Sequence, residues 1–187
     1  MITQEVPVGT KPYESELLLE LEAAPQAESH PPQSAKRLAI IAMHGTLDMA
    51  YPPLILATAA AAMDMEVTIF FTFYGLDIVK KDNADHLKVA PIANPAMPVP
   101  VPNIIGMLPG MTYIATSMMN NWMKKARVAR LSELLEMAQE MGVKMIACQM
   151  SMDVMGIKKG ELIDGVEIGG AATFLEFASD NAISLTF

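Results

Sequence analysis

The chain has 187 residues, of which 52% are hydrophobic and 18% charged, with one cysteine and a formal net charge of −8. This length and composition fit one folded domain with a sizeable core and exclude a disordered protein. The acidic balance argues against nucleic acid as a partner and against adhesion to anionic lipids, because both require a basic surface. A single cysteine excludes an internal disulfide, so nothing points to an oxidising compartment.

The first 35 residues differ from the rest of the chain. Residues 13–24 are acidic with leucines along one side and can form a short amphipathic helix, whereas residues 25–35 are rich in proline and small polar residues, as linkers are. No apolar segment of signal-peptide length occurs here, and we expect a cytoplasmic protein. The sequence therefore predicts an acidic extension and linker over residues 1–35 and an α/β domain over residues 36–187.

Three apolar runs in this domain are typical of buried strands. They are "KRLAIIAMH", "EVTIFFTFY", which ends at Gly75, and "VKMIACQM", which contains the cysteine; "AISLTF" predicts a closing strand. Strands that are apolar throughout are covered on both faces, which favours a parallel sheet.

Helical segments alternate with these strands. Strong helix formers follow Pro53, Ser132 can cap a helix over "ELLEMAQEMG", and "GGAATFLEFASDN" predicts the last helix. The segment after the second strand, "LDIVKKDNADHLKV", predicts at most a short helix and a polar loop. This alternation indicates an α/β fold, in which functional groups lie at the carboxyl ends of the strands.

No charged residue occurs between Lys88 and Lys124. Six prolines argue against a membrane-spanning helix, and the longest proline-free part, residues 110–123, is shorter than the roughly 20 residues that a bilayer requires. We predict a proline-stiffened loop followed by a helix that continues to Arg127. A helix with so few charges should be covered, and we expect a homo-oligomer interface; peripheral docking on a membrane or partner through residues 89–123 is the alternative.

Cys148 stands where the third strand should end and a helix should begin. There, free backbone N–H groups and the helix dipole would stabilise a thiolate, and Ser151 or Asp153 could cap the helix. The structural alternative is a core cysteine, because cysteine is among the most buried residue types. One thiol without a CxxC motif excludes disulfide exchange within the chain and fits a covalent carrier, a nucleophile or a redox sensor.

His44 and Tyr74 follow the first and second strands, so both are expected at the same edge of the sheet as Cys148. His44 could pair with a thiolate or shuttle a proton, and a turn histidine bonded to the backbone is the alternative. No HxxxH, CxxC, GxGxxG, Walker or GxSxG pattern is present. The sequence predicts no metal and no bound cofactor.

Three segments resemble the DsrE/DsrF-like family, and best its larger subgroup, whose members are often labelled peroxiredoxin-family proteins. They are "FFTFYGLDIVKK", "NPAMPVPVPNIIGMLPGMTYIATSMM" and the run from "ELLEMAQEMG" through "ACQMSMD" to "GGAATFLE". The likeness covers about residues 36–187 and is most specific over residues 142–176. The peroxiredoxin label is not supported, because the motif Pro-x-x-x-Thr-x-x-Cys is absent.

The resemblance implies a flavodoxin-like, three-layer α/β domain, a homo-oligomer and a part in sulfur relay during sulfur oxidation. Proteins of this family carry sulfane sulfur as a persulfide on one cysteine, which corresponds to Cys148 here, and rhodanese-like and TusA-like proteins are the implied partners. Some relatives have a second cysteine; this chain has none, which puts a two-thiol mechanism in doubt.

These observations predict a sulfurtransferase-like sulfur carrier with Cys148 as its reactive residue. Whether it acts as an enzyme stays open at this point. Two alternatives remain: a non-catalytic oligomeric interaction module with a buried cysteine, and a thiol-dependent reductase. The side chains expected to line the pocket are His44, Tyr74, Met107, Met111 and Met150.

Overall fold

The computed structural model describes residues 37–90 and 110–187. Three predictions lie outside these residues: the acidic helix and linker of residues 1–35, most of the proline-stiffened loop, and the pocket position of Met107.

Parallel strands form the centre of the domain. Among the described residues there is one sheet of five strands in the order β4-β3-β2-β1-β5, and every pairing is parallel. The parallel sheet confirms what the apolar runs predict, and β4 is a three-residue edge strand that the sequence reading missed. The strands are β1 (Arg37–Ala42), β2 (Glu66–Phe71), β3 (Lys144–Cys148), β4 (Glu167–Gly169) and β5 (Ala182–Thr186).

Helices cover both faces of the sheet, which confirms the flavodoxin-like α/β class. On one face, α1, α3 and a 3₁₀ helix over Phe73–Val79 enclose the larger core; on the other, α5 packs on the strands. The helices are α1 (Leu47–Ala62), α2 (Met111–Lys125), α3 (Leu131–Glu140), α4 (Gln149–Met155) and α5 (Ala171–Ala178).

Several element ends differ from the predicted ones. Helix α1 begins at Leu47, ahead of its two prolines, and α3 begins at Leu131 with Arg130 at the N-cap. Ser132 therefore lies inside α3, and its backbone N–H and hydroxyl bond to the Asp85 carboxylate at 3.1 and 2.8 Å. The caps differ because tertiary contacts, which the local sequence does not encode, compete for the same polar groups.

The sheet face under α5 carries a small core of its own. It consists of Ala39, Phe70, Ile146, Cys148 and Phe174, with the Phe70 and Phe174 rings stacked at a centroid distance of 5.2 Å. Residues two apart on a strand share a face, so the spacing of Ile146 and Cys148 puts both on this side. The cysteine is thus part of a packed apolar layer.

Helix α2 is largely exposed within the single chain. Of its 15 residues only Thr116 is buried, and apolar side chains on its outer side, among them Tyr113, Ile114 and Trp122, are exposed. The described residues therefore do not cover the helix, as an apolar helix would require. In the part of the chain that the structure describes, no helix has the length and apolar character to cross a membrane.

Candidate functional site

Cys148 lies at the carboxyl end of β3 and is the N-cap residue of α4. This is the junction that the sequence predicts. The side chain is largely enclosed, with the residue 6% exposed. The expected caps are wrong, because neither Ser151 nor Asp153 precedes α4; both lie inside it, and Asp153 accepts a hydrogen bond from Gln149 at 2.8 Å.

Two buried hydroxyl groups adjoin the cysteine. Thr72 follows the last residue of β2, and Ser151 is the third residue of α4. Their oxygen atoms, Oγ1 and Oγ, lie 2.9 Å apart and share a hydrogen bond. The register Phe71 opposite Ala147 continues to Thr72 opposite Cys148, so the threonine and the cysteine occupy one row of the same sheet face.

The surroundings of Cys148 lower the pKa of its thiol. Burial is the largest single effect and raises the pKa, since it disfavours the charged form. The nearby hydroxyl and backbone N–H of Ser151, the Thr72 hydroxyl and the Met150 backbone N–H act in the opposite direction and together prevail. A thiolate is the nucleophilic form of cysteine, so this environment favours reactivity.

The residue of the edge strand β4 that lies opposite Cys148 is a glycine, so β4 places no bulky side chain beside the cysteine. Gly169 of β4 pairs with Cys148, and a Cβ atom there would lie 2.8 Å from Cγ2 of Ile146. A larger residue would therefore displace the side chain that packs below the cysteine. Glycine at this position preserves the packing on which the place of Cys148 depends.

Among the other predicted pocket residues that the structure describes, Met150 alone contributes a group that acts on the thiol, its backbone N–H. His44 and Tyr74 are exposed in the segments that follow β1 and β2, at the carboxyl edge as expected. Neither is among the groups that shift the pKa of Cys148. Met150 is exposed in α4 beside the cysteine, and Met111 is half-buried at the start of α2. The structure does not join these side chains into one enclosed pocket with Cys148.

Instead, exposed apolar side chains surround this edge of the sheet. We call them the apolar rim; they follow β1, β2 and β3 and so lie at the carboxyl ends of three adjacent strands. The rim comprises Met43, Phe73, Tyr74, Met150 and Val154.

Two glycines hold the segments after β1 and β2 together. A Cβ atom at Gly45 would collide with the Tyr74 carbonyl oxygen, and one at Gly75 would collide with the Ala42 carbonyl. The Gly75 N–H donates to the Met43 carbonyl at 3.0 Å. Between these contacts Phe73 adopts a φ of 46°, an uncommon conformation for a bulky residue and one that often occurs at functional sites.

Sequence reasoning missed Thr72 and considered Ser151 only as a cap. One signal for Thr72 is present in the sequence: Thr68 and Thr72 are the polar residues of an otherwise apolar run, and they share a face. Nothing local indicates that Ser151 reaches Thr72, because that contact joins two elements 79 residues apart. Among residues 37–90 and 110–187, no group of three or more His, Cys, Asp or Glu side chains could hold a metal ion.

This chain is similar to a protein family as a whole and to individual proteins. The sequence profile of the DsrE/DsrF/DrsH-like family matches residues 34–186. The sulfur carrier protein DsrE2 of Allochromatium vinosum is 51% identical over 156 residues, which cover 80% of this chain and 97% of that protein. The uncharacterised protein YrkE of Bacillus subtilis is 36% identical over 163 residues, covering 82% of this chain and 98% of that protein.

Among solved structures, the crystal structure of the ychN protein from E. coli aligns with a TM-score of 0.49 and 16% identity, over 81% of this chain and 98% of that one. The profile match spans nearly the whole α/β domain and includes Cys148 with its flanking elements. On this evidence the chain belongs to the DsrE/DsrF/DrsH-like family.

Proposed function

We propose that this protein is a sulfur carrier that holds sulfane sulfur as a persulfide on Cys148 and relays it between protein thiols. The observation that carries the proposal is the place of Cys148 between the carboxyl end of β3 and the start of α4, where neighbouring hydroxyl and backbone N–H groups lower the pKa of a thiol that burial alone would raise. The 51% identity with a protein named as a sulfur carrier supports the same function.

The transfer requires a nucleophilic thiolate and a leaving thiolate. The Cys148 thiolate attacks the terminal sulfur of a donor persulfide, R–S–SH, and forms the new S–S bond of Cys148–S–SH. The donor S–S bond breaks, and its electron pair leaves on R–S⁻. An acceptor thiolate then attacks the outer sulfur in the same way and regenerates the Cys148 thiolate, so no external oxidant or reductant is consumed.

The charge distribution favours a protein donor over a small anion. The four groups that lower the pKa of Cys148 are neutral, and no charged side chain of the described residues is among them. The net charge of −8 on the protein disfavours the approach of a small dianionic donor. The apolar rim offers contact area to a partner that presents its own thiol, and we propose rhodanese-like and TusA-like proteins as such partners.

Intact-protein mass spectrometry after incubation with polysulfide, or with thiosulfate and a rhodanese, tests the proposal. We expect the native chain to gain the mass of one or more sulfur atoms, which a reductant removes. Cys148→Ser is the matched control, because it keeps the size of the side chain and removes the nucleophile; it should gain nothing. Equal sulfur loading of the variant and the native chain would refute the role of Cys148.

One observation favours a second candidate function, a non-catalytic interaction module. Cys148 is 6% exposed and belongs to a packed core, as a structural cysteine would be. This alternative predicts that the native chain gains no sulfur and that its thiol resists alkylation while the protein is folded. Cys148→Ser would then leave partner binding unchanged.

A further inference from the structure

The two edges of the sheet differ in how well they are protected against pairing with another strand. The edge strand β4 has three residues and begins with Glu167, and a short strand with a charged side chain resists such pairing. The opposite edge strand, β5, has five residues and carries neither a charge nor a proline. Its residues Ile183, Ser184 and Thr186 are exposed. The β5 edge therefore lacks the protection that the β4 edge has.

Alternate residues of β5 point their backbone groups away from the sheet. Phe187 directly follows the strand, and its N–H and its carbonyl both bond to the backbone at the end of β1, at 2.8 and 2.7 Å. Along a parallel ladder, successive residues face opposite sides with both of their backbone groups. The N–H and C=O groups of Ala182, Ser184 and Thr186 therefore point outward. In the part of the chain that the structure describes, none of them has a backbone partner.

A second copy of β5 fits this edge in one antiparallel register. Outward groups at every second residue pair with an antiparallel strand that has the same spacing. When Ser184 lies opposite the partner's Ser184, Ala182 lies opposite the partner's Thr186. Every outward N–H and C=O of both strands then has a partner, whereas a shift in either direction leaves outward groups at the strand ends without one.

The side chains of the two copies also match in this register. Leu185 packs against the larger core, and Ile183 shares its face. Ile183 is 47% exposed and would lie opposite the partner's Leu185, so the pairing covers apolar surface that is otherwise in water. On the other face only the small side chains of Ala182, Ser184 and Thr186 meet. No like charges face each other, although the protein has a net charge of −8.

We propose that β5 is an interface at which two copies of this chain pair their sheets, antiparallel, across a twofold axis at Ser184. This self-complementarity identifies the occupant of the edge as a second copy, because a twofold interface requires the same surface to match itself. The inference goes beyond the proposed function and does not depend on it. Strands β2 and β1 separate β3 from the interface, so the pairing leaves the carboxyl end of β3 and Cys148 accessible to other partners.

Light scattering coupled to size-exclusion chromatography measures the pairing in the native chain and in Ser184→Pro. Proline removes an outward N–H, and edge strands tolerate it because the chain loses no hydrogen bond of its own. We expect Ser184→Pro to halve the mass of the native assembly. Ser184→Thr is the matched control, since it keeps the N–H and should keep the native mass; circular dichroism checks that both variants are folded.

Opposite charges at the same position test the register. Ser184→Lys and Ser184→Asp each place like charges opposite one another on the axis, so each variant alone should pair at least about tenfold more weakly than the native chain. An equimolar mixture of the two should regain the native mass, because a lysine then faces an aspartate. This rescue requires two copies that meet at Ser184, and it decides the question if Ser184→Pro fails to fold.

Amide hydrogen exchange measured by NMR locates the contact. The N–H groups of Ala182 and Thr186 should exchange slowly in the native chain and faster in Ser184→Lys. The N–H of Leu185 points to β1 and should stay protected in both. A native monomer, or an assembly whose mass the Ser184 variants leave unchanged, would overturn the inference. Slow exchange of Ala182 and Thr186 in a monomer would assign the edge to another segment of the same chain and would overturn it as well.

Discussion

Thr68 on β2 and Thr72 directly after this strand show that a buried hydroxyl can be either bonded or left without a partner. The Thr72 hydroxyl is bonded to Ser151, whereas the Thr68 hydroxyl has no hydrogen-bond partner among the described residues, although the residue is fully enclosed. A buried hydroxyl without a partner is destabilising, because it loses its bonds to water and gains none in return. The contrast predicts that Thr68 can be replaced without the loss of a hydrogen bond, whereas Thr72 cannot.

Thr68→Val should therefore raise the free energy of unfolding by about 1 kcal/mol, since valine keeps the shape and removes the unpaired group. Urea denaturation followed by circular dichroism measures the change. Thr116→Val is the matched control: its hydroxyl donates to the Thr112 carbonyl at 2.7 Å and accepts from the Val89 N–H at 3.2 Å. That variant should lose about 1 kcal/mol, and a loss of similar size in Thr68→Val would contradict the argument.

At the scale of elements, the carboxyl edge of the sheet is organised by the segments that follow the strands. The segment after β2 turns into a 3₁₀ helix and lies against the end of β1 through Gly45 and Gly75. This close approach fixes Thr72, whose side chain then meets α4 after β3. The ends of three strands thus form the site, and the close backbone contact at Gly75 lies next to it.

Gly75→Ala should disturb this arrangement, because its Cβ would lie 2.7 Å from the Ala42 carbonyl carbon and the backbone must shift. We expect a loss of at least about 2 kcal/mol in the free energy of unfolding and a slower alkylation of Cys148 at pH 7. Gly160→Ala is the control, since no atom lies within 4 Å of the added Cβ. An equal free energy of unfolding in the two variants would show that glycine at position 75 is not required for stability.

At the scale of the whole molecule, helix α2 is an element that residues 37–90 and 126–187 leave largely uncovered. Ile114, Met118 and Trp122 are exposed and spaced four residues apart, so they share one side of the helix. On the other side of the helix, only Met119 and Met123 pack against the larger core. A homo-oligomer in which a second copy covers the outer side stays a prediction, consistent with the rarity of bare apolar helix faces.

Light scattering coupled to size-exclusion chromatography tests the homo-oligomer. The native chain should elute as an oligomer, and Met118→Asp should shift it toward the monomer because a carboxylate cannot be buried unpaired. Asn120→Asp adds the same charge on another, exposed side of α2 and should leave the assembly intact. A native monomer, or equal dissociation of both variants, would rule out this face as the interface.

The sequence by itself determined the α/β class, the three central strands and the place of Cys148 at a strand end, because apolar runs and the residues that interrupt them are local signals. It did not reveal β4, whose three residues are too few for a pattern, or the first turn of α1 ahead of its prolines. Only the tertiary structure brought Thr72 and Ser151 together beside Cys148, since side chains distant in sequence meet through strand order and register. Of the groups that lower the pKa of the thiol, the Thr72 hydroxyl comes from a distant part of the chain, whereas the backbone N–H groups of Met150 and Ser151 belong to the helix that follows the cysteine.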